Sequence, residues 1–396
     1  MRILVLNVGS SSFKCWFRNV PDGDLPVEAM APSWTAHADW KSPQTPDGLL
    51  GPLLESLWKG EKKAIDSPAE IDVVGHRIVH GGPKYRKSVL ITPEVRMGIA
   101  EQAQFAPVHN KLQLGAIETV DRAIGKDVPQ VAVFDTGFHA TLQPAAYVYP
   151  GPYAWLEQGI RRYGFHGISV QYSTRRAAEL MQVPENSSRL IVCHLGNGAS
   201  VTAVKNGKSV DTSMGFTPLE GLMMGTRSGS IDPGIMVYLI RSQGYTADRM
   251  DEILNTKSGL LGVSGVSGDM REILEAIGKG DERARLAYAI YAHRVTREIG
   301  GMLAVLGGAD AIVFTGGIGE NCAPLRQDAC RQLEFLGLEL DAEKNARPHL
   351  DQNIAASGSA VQVLAIRADE DWEIARECVF TKRLHPGDHS QPALRR

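Results

Sequence analysis

The densest chemistry in this chain lies between residues 190 and 234. An apolar run leads into His194-Leu195-Gly196-Asn197-Gly198, and Arg227 stands among Gly225, Thr226, Ser228 and Gly229. Glycines let backbone N–H groups approach an anion closely, and a guanidinium in a glycine-rich loop grips phosphate oxygens. That combination suits the holding of a nucleotide or an acyl phosphate. Elsewhere, Asn7, Ser10, Ser12 and Lys14 gather amide, hydroxyl and ammonium groups in one short turn. Arg77 closes an apolar run, Asp135 stands in Phe-Asp-Thr-Gly, His166 in Arg-Arg-Tyr-Gly-Phe-His-Gly, and Glu370 between Asp369 and Asp371. Each has a bland alternative: a decorated hairpin, a core ion pair, a turn cap, a satisfied structural histidine, a solvated acidic face. Jointly they read as phosphoryl transfer, which needs positioning and charge neutralisation more than covalent help from the protein.

These residues need strand ends and turns to hold them. Residues 3–17 read strand, glycine-serine turn, strand, and they superpose without a gap on 190–201. The recurrence predicts two related halves, each opening with a phosphate-facing hairpin. Apolar runs at 71–79, 131–134 and 311–314 read as buried strands, with polar residues at their ends where α/β enzymes place their sites. Segments 94–105 and 111–124 read as helices, 20–50 as irregular, and Pro144–Pro152 as a hinge. Leu286, Ile290, Val295, Ile299, Met302 and Leu306 trace one apolar face of a long helix, where Gly300-Gly301 signals close packing. The residues from about Leu384 to Arg396 read as a loose tail.

The chain has 396 residues, 43% hydrophobic and 22% charged, with a net charge of −3. This predicts a globular protein of two domains with no basic footprint for nucleic acid. No signal peptide or membrane span is expected, since the run Ile3–Leu6 is far too short for either. Five cysteines without CxxC spacing read as reduced thiols in a cytoplasmic protein. Two decoys fall away. Gly207-Lys208-Ser209 looks like the end of a P-loop, but the first glycine of that motif would fall on Thr202, and Asn206-Gly207 makes a better hairpin turn. Gly317 and Gly319 lack the third glycine of a dinucleotide fingerprint.

The strings NVGSSSFK, GHRIVHGG, FDTGFH, RRYGFHG, HLGNGAS, MGFTPLEGLMMGTRSGSIDPG, SGLLGVSGVSGDMR and FTGGIGEN occur in this order between residue 7 and residue 321. In these strings the chain resembles the acetate/propionate kinase (acetokinase) family, a likeness running from residue 3 to about 376. The resemblance implies a duplicated α/β actin-like ATPase fold, that of acetate and sugar kinases, Hsp70 and actin, with the active site in an interdomain cleft. Domain I would take residues 1–149 plus about 371–396, and domain II residues 150–370. The implied activity is reversible, direct in-line transfer of the ATP γ-phosphoryl group to acetate. By position, Asn7 and Glu370 would hold Mg²⁺, with Mn²⁺ as a substitute. Ser10, Ser12, Lys14, His194, Leu195, Gly196, Asn197, Gly198, Asp269, Met270, Arg271, Gly317, Ile318, Gly319, Glu320 and Asn321 would contact ATP or ADP. Arg77 would bind the carboxylate, beside an apolar pocket of Val79, Val108, Phe165 and Pro218. His166 and Arg227 would stabilise the phosphoryl group in transfer, and Asp135 completes the catalytic set. A homodimer formed mainly through domain II is also implied.

Acetate is already ionised at neutral pH, its carboxyl pKa lying at about 4 to 5. The nucleophile therefore needs no general base, and Asp135 reads as orienting Arg227, Arg77 or the metal's waters. Three departures from the family pattern stand out. Ala368-Asp369-Glu370-Asp371 replaces Thr-Asn-Glu-Glu, Lys111 follows His109-Asn110 in place of proline, and Val108 stands where leucine is frequent. The smaller Val108 predicts that propionate is accepted with acetate still preferred. A propionate- or butyrate-preferring kinase, and a non-catalytic nucleotide-binding module of the same fold, are the alternatives.

Overall fold

The computed structural model describes residues 1–9, 12–21, 23–39, 46–102 and 107–384, without the side chains of residues 12, 46–47, 107–109 and 384. The chain forms two compact units, Met1–Ala140 with Asp369–Arg396, and Thr141–Ala368.

The first unit is built on β1 (Arg2–Val8), β2 (Ser12–Asn19), β3 (Trp34–Asp39), β4 (Val73–Ile78), β5 (Val89–Leu90) and β6 (Gln130–Phe134). Their order is β3-β2-β1-β4-β6-β5, with β1, β4 and β6 parallel and the other neighbours antiparallel. Ile3 to Leu6 are at most 1% exposed, because helices cover both faces of the central strands. Leu50 and Leu54 of helix Pro46–Glu55, with Ala116 and Val120 of helix Pro107–Ala123, join Leu4, Leu6 and Val8 in one core. Each fully buried aliphatic side chain there contributes about 1.5–3 kcal/mol. The helix Glu370–Leu384 belongs to the same unit and lies against Gly75. A Cβ at Gly75 would meet Cys378 Sγ at 2.6 Å and Ile374 Cγ2 at 2.7 Å, so only glycine admits this helix.

The second unit repeats the plan with β7 (Arg189–Leu195), β8 (Ala199–Lys205), β9 (Lys208–Thr212), β10 (Ala311–Thr315), β11 (Gln352–Asn353) and β12 (Gln362–Ala365). Its order, β9-β8-β7-β10-β12-β11, matches the first sheet strand for strand, including a short antiparallel edge strand that precedes its neighbour in the chain. The expected duplication is therefore a property of the whole sheet, not of one hairpin. The hairpins differ in one respect. Val8 pairs with Phe13 but Leu195 pairs with Ala199, so the second turn is one residue shorter and the gapless superposition slips beyond it. Asn206 and Gly207, both at positive φ (54° and 73°), make the turn between β8 and β9, which removes the P-loop.

Three local expectations are corrected. Residues 20–50 are not wholly irregular: Trp34–Asp39 alternates buried and exposed as β3, and a helix begins at Pro46. The long helix spans Glu282–Leu306, but its core face runs through Ala284, Ala287, Tyr291, Val295, Ile299, Met302 and Leu306. Leu286 is 54% exposed and Ile290 only half-buried, because Ala287 and Tyr291 take the inward positions. Gly300 and Gly301 have open space where a Cβ would stand, so they do not mark close packing within the chain. The tail beyond residue 384 lies outside the described residues. Among the described residues, no helix is long and apolar enough to cross a membrane.

Candidate active site

In the first unit the site grows from the carboxyl ends of three adjacent parallel strands. Asn7 is near the end of β1, Arg77 near the end of β4, and Asp135 directly after β6. Leu6 is in register with His76 and Arg77 with Val133, which brings the three side chains together. Arg77 donates from Nε to Asp135 Oδ1 at 3.0 Å and from Nη2 to Asp135 Oδ2 at 2.7 Å, a bidentate pair. Its Nη1 donates to Asn7 Oδ1 at 3.1 Å and lies 3.3 Å from Glu370 Oε2. Asn7 Nδ2 donates in turn to Glu370 Oε2 at 3.0 Å. Burial opposes the charge on Arg77, but Asp135 and then Glu370 outweigh it and raise the guanidinium pKa above its ordinary value. The acid that no neighbouring residue supplied to Arg77 comes from 58 residues away.

Val79 is buried just past β4, and its N–H donates to Gln113 Oε1 at 3.0 Å. Gln113 Nε2 reaches back to Val8 O at 3.4 Å, tying the ends of β1 and β4 together. This buried amide was not singled out in the sequence, where a lone glutamine on a helix carries no signal. Lys14 is exposed on β2, in register with Asn7. It belongs to the first unit, as does Ser12, whereas the residues from His194 to Asn321 expected to contact nucleotide belong to the second. Ser10 lies outside the described residues, as do the side chains of Ser12 and Val108.

In the second unit, His194 is the last residue but one of β7 and His166 sits at the entrance to helix Gly167–Met181 with φ of 59°. Their rings stack with centroids 4.2 Å apart and planes 29° from parallel. The Nδ1 atom of each faces a serine hydroxyl: His166 with Ser200 at 3.0 Å, His194 with Ser169 at 2.7 Å. Arg227 Nη1 donates to Pro218 O at 2.8 Å. His166 and Arg227 both border Gly198, where an added Cβ would lie 3.1 Å from His166 Nε2 and 3.6 Å from Arg227 Nη1. Glycine at 198 keeps that space open. Phe165 is fully buried beside His166, and Pro218 is half-buried.

A cavity of about 740 Å³ lies in the same unit. It is lined by Gly196 and Asn197 of the β7–β8 turn, by Asp269, Met270 and Arg271, and by Gly317, Ile318 and Asn321. Three stretches far apart in sequence thus converge, two of them at the first turns of helices Met270–Gly278 and Gly316–Asn321. Helix N-termini of this kind favour anions. Leu274, Gly268 and Cys322 also line it and had not been foreseen. Of the residues expected at the nucleotide, His194, Leu195, Gly198, Gly319 and Glu320 are not on this lining. Glu320 turns back instead, its Oε1 accepting from Gly316 N at 3.1 Å and Ala368 N at 2.9 Å. Burial raises its pKa, an effect the two N–H donors partly offset.

With this geometry in hand, the likeness to known proteins has a physical basis. The Acetokinase family model matches residues 2–376. The acetate kinase of Gloeobacter violaceus is 52% identical, over 96% of this chain and 98% of its own, and that of Nostoc punctiforme 51% over the same shares. Among solved structures, Porphyromonas gingivalis acetate kinase superposes with a TM-score of 0.85 at 40% identity, covering 96% of this chain and 99% of its own. A propionate kinase from Francisella tularensis gives 0.84 at 36% identity over the same shares. The duplicated α/β architecture, the actin-like ATPase fold expected above, is common to them. With half of all positions shared along nearly its whole length, the chain belongs to the acetokinase family.

Proposed function

We propose that the protein catalyses reversible, direct in-line transfer of the γ-phosphoryl group of ATP to acetate, giving acetyl phosphate and ADP. One observation carries this reading. The turn Gly196–Gly198 borders the 740 Å³ cavity at one end and His166 and Arg227 at the other. A nucleotide held in that cavity by Asn197, the Asp269–Arg271 turn and the Gly317–Asn321 turn would direct its terminal phosphate along the turn toward the imidazole and the guanidinium. Those two groups would offset charge on the phosphoryl oxygens as it moves, which is the main demand of this chemistry.

On the first unit, Arg77 is assigned to the acetate carboxylate. Asp135 holds the guanidinium plane through its bidentate pair and takes no proton from the nucleophile, which arrives as an anion. Asn7 and Glu370 would hold Mg²⁺, with Mn²⁺ able to replace it. Both offer hard oxygen donors and already lie in hydrogen-bond contact. Among the described residues no cluster of three or more His, Cys, Asp or Glu could hold a metal. A two-donor protein contribution suits an ion that takes its remaining ligands from water and phosphate oxygens. Its chemistry would be neutralisation of polyphosphate charge.

Identity near one half with acetate kinases supports acetate over larger acids, and Val79, Phe165 and Pro218 are assigned to its methyl group together with Val108. One added methylene is worth about 1–3 kcal/mol of discrimination in such a pocket. Acetate is therefore expected to exceed propionate in kcat/KM by roughly tenfold or more, with butyrate lower still. A steady-state series with the three acids checks this, and a propionate preference would overturn the assignment. Helix Pro233–Gln243 buries none of its residues and exposes Ile235, Val237, Tyr238 and Ile240, which supports a homodimer through the second unit. Five buried, unpaired cysteines fit a cytoplasmic location.

A further inference from the structure

The stretch Pro144–Pro152 has no assigned chemistry, yet its Tyr149 is tied at two points to the loop that holds Arg227. The Tyr149 hydroxyl oxygen accepts from the Phe216 N–H at 2.8 Å, and its O–H donates to Glu220 Oε2. One phenol thus closes the segment 216–220 at both ends, with Pro218 at its middle. Pro218 O accepts from Arg227 Nη1 at 2.8 Å, and that nitrogen is the one bordering Gly198. We infer that Tyr149 is a positioning residue for phosphoryl transfer, acting through Pro218 O on the guanidinium of Arg227. The inference rests on the phosphoryl-stabilising role proposed for Arg227.

A backbone carbonyl can place a guanidinium only where its own backbone is fixed, and this loop is fixed on both flanks. Upstream, Arg162 Nη1 donates to Thr212 O, Ser213 O and Met214 O at 2.9, 3.1 and 3.0 Å. Downstream, Arg162 Nη2 donates to Glu220 Oε1 at 2.8 Å, which leaves Oε2 for Tyr149. Hydrogen bonds to an ionised carboxylate are shorter and stronger than neutral ones. Gly215 packs directly on the pair, since a Cβ there would overlap both Glu220 Oε2 and the Tyr149 hydroxyl. Burial first, and then the bond to Glu220, raise the phenol pKa above its ordinary value, so Tyr149 remains an O–H donor at neutral pH.

Tyr149→Phe removes only the hydroxyl. It opens the closure at Phe216 and takes the phenol donor from Glu220 Oε2, while Arg162 keeps its bonds to either side. The stretch leading to His166 is held separately, by Tyr163 N–H and Gly164 N–H donating to Gly215 O at 3.0 and 3.3 Å. The 740 Å³ cavity has no residue of 216–220 on its lining. The change therefore falls on Pro218 and the guanidinium beside it, not on the nucleotide. Arg227 makes further contacts, among them Met224 Sδ at 3.5 Å from Nη1, so it is displaced and not released.

The test is a double-mutant cycle in kcat, with saturating ATP and acetate. Tyr149→Phe alone is expected to lower kcat by about tenfold, since misplacing a group by about 1 Å costs up to roughly 10²-fold. Its KM for ATP is expected to stay within about threefold of wild type. In an Arg227→Ala background the same substitution is expected to change kcat by less than about twofold, because no guanidinium remains to be placed. Glu220→Gln, which keeps the side-chain shape without the charge, is expected to repeat this pattern, and it carries the cycle if Tyr149→Phe does not fold. Equal fold losses in the two backgrounds overturn the inference, because general structural damage multiplies through both. A Tyr149→Phe kcat within about twofold of wild type overturns it equally, as does a loss appearing in the KM for ATP instead. The single variants separate the layers. A large loss for Arg227→Ala with none for Tyr149→Phe removes the role of Tyr149 alone. Retention of kcat within about tenfold by Arg227→Ala removes the role of Arg227, and this inference with it.

Discussion

Arg227→Ala is expected to lower kcat by about 10³-fold while changing the KM values for ATP and acetate much less. Arginines that meet a phosphoryl group in transfer contribute about 10³–10⁵ in rate in related chemistry. The reason is differential binding: charge on the phosphoryl oxygens redistributes in the transition state, and the guanidinium meets it there more strongly than in the bound substrate. Arg227 is prepared for this by position. It emerges from a glycine-flanked loop, is oriented by Pro218 O at 2.8 Å, and borders the same Gly198 site as His166. Arg227→Lys should recover only a small part, since an ammonium lacks the planar fork. Steady-state kinetics of both variants check this, and retention of kcat within tenfold by the alanine variant would remove the assigned role.

The second large effect is expected at Asp135. Its side chain is 1% exposed and pairs bidentately with Arg77, itself 17% exposed. Asp135→Ala would leave a guanidinium facing Glu370 and Asn7 alone, and loss of one partner of a buried pair costs about 3–5 kcal/mol. Arg77 would also lose the contact that sets its plane, so the acetate KM should rise by roughly tenfold or more. Asp135→Asn keeps the shape and one acceptor but not the charge, and should fall between. Chemical unfolding together with the acetate KM measures both effects. An Asp135→Asn variant with wild-type stability and near-full rate would deny the carboxylate any orienting function. A general base has a different signature, a kcat that follows the carboxylate's titration, and an acceptor ionised well below neutral pH gives no cause for it.

The parts of this account legible in the sequence are those written in contiguous residues. β1 and β7 were readable because strands covered on both faces are apolar without interruption, and each is followed at once by small turn residues. Two of the cavity-lining stretches, at Gly196–Asn197 and Gly317–Asn321, were readable because glycine turns at strand ends carry their own signature, whereas Asp269–Arg271, where one helix follows another, was reached only through the family resemblance. Contacts between distant residues were not. Arg77 and Asp135 were each noticed, yet their pairing depends on β4 and β6 being neighbours in the sheet. Ser169 and Ser200 were invisible as partners, since serine is common and its role here comes from register. β3 was hidden because six residues of alternation, between prolines and aspartates, leave little periodic signal. The long helix misled for a different reason. Its inward face includes alanines, which bury well but announce little, while Leu286 points outward.

The most direct test of the central claim is formation of acyl phosphate by the purified protein from ATP, Mg²⁺ and acetate, trapped with hydroxylamine as the hydroxamate. The account predicts acetyl hydroxamate in step with ADP, one for one, and no product when acetate or ATP is left out. Nucleotide hydrolysis without hydroxamate, or no turnover at all with acetate present, would contradict it.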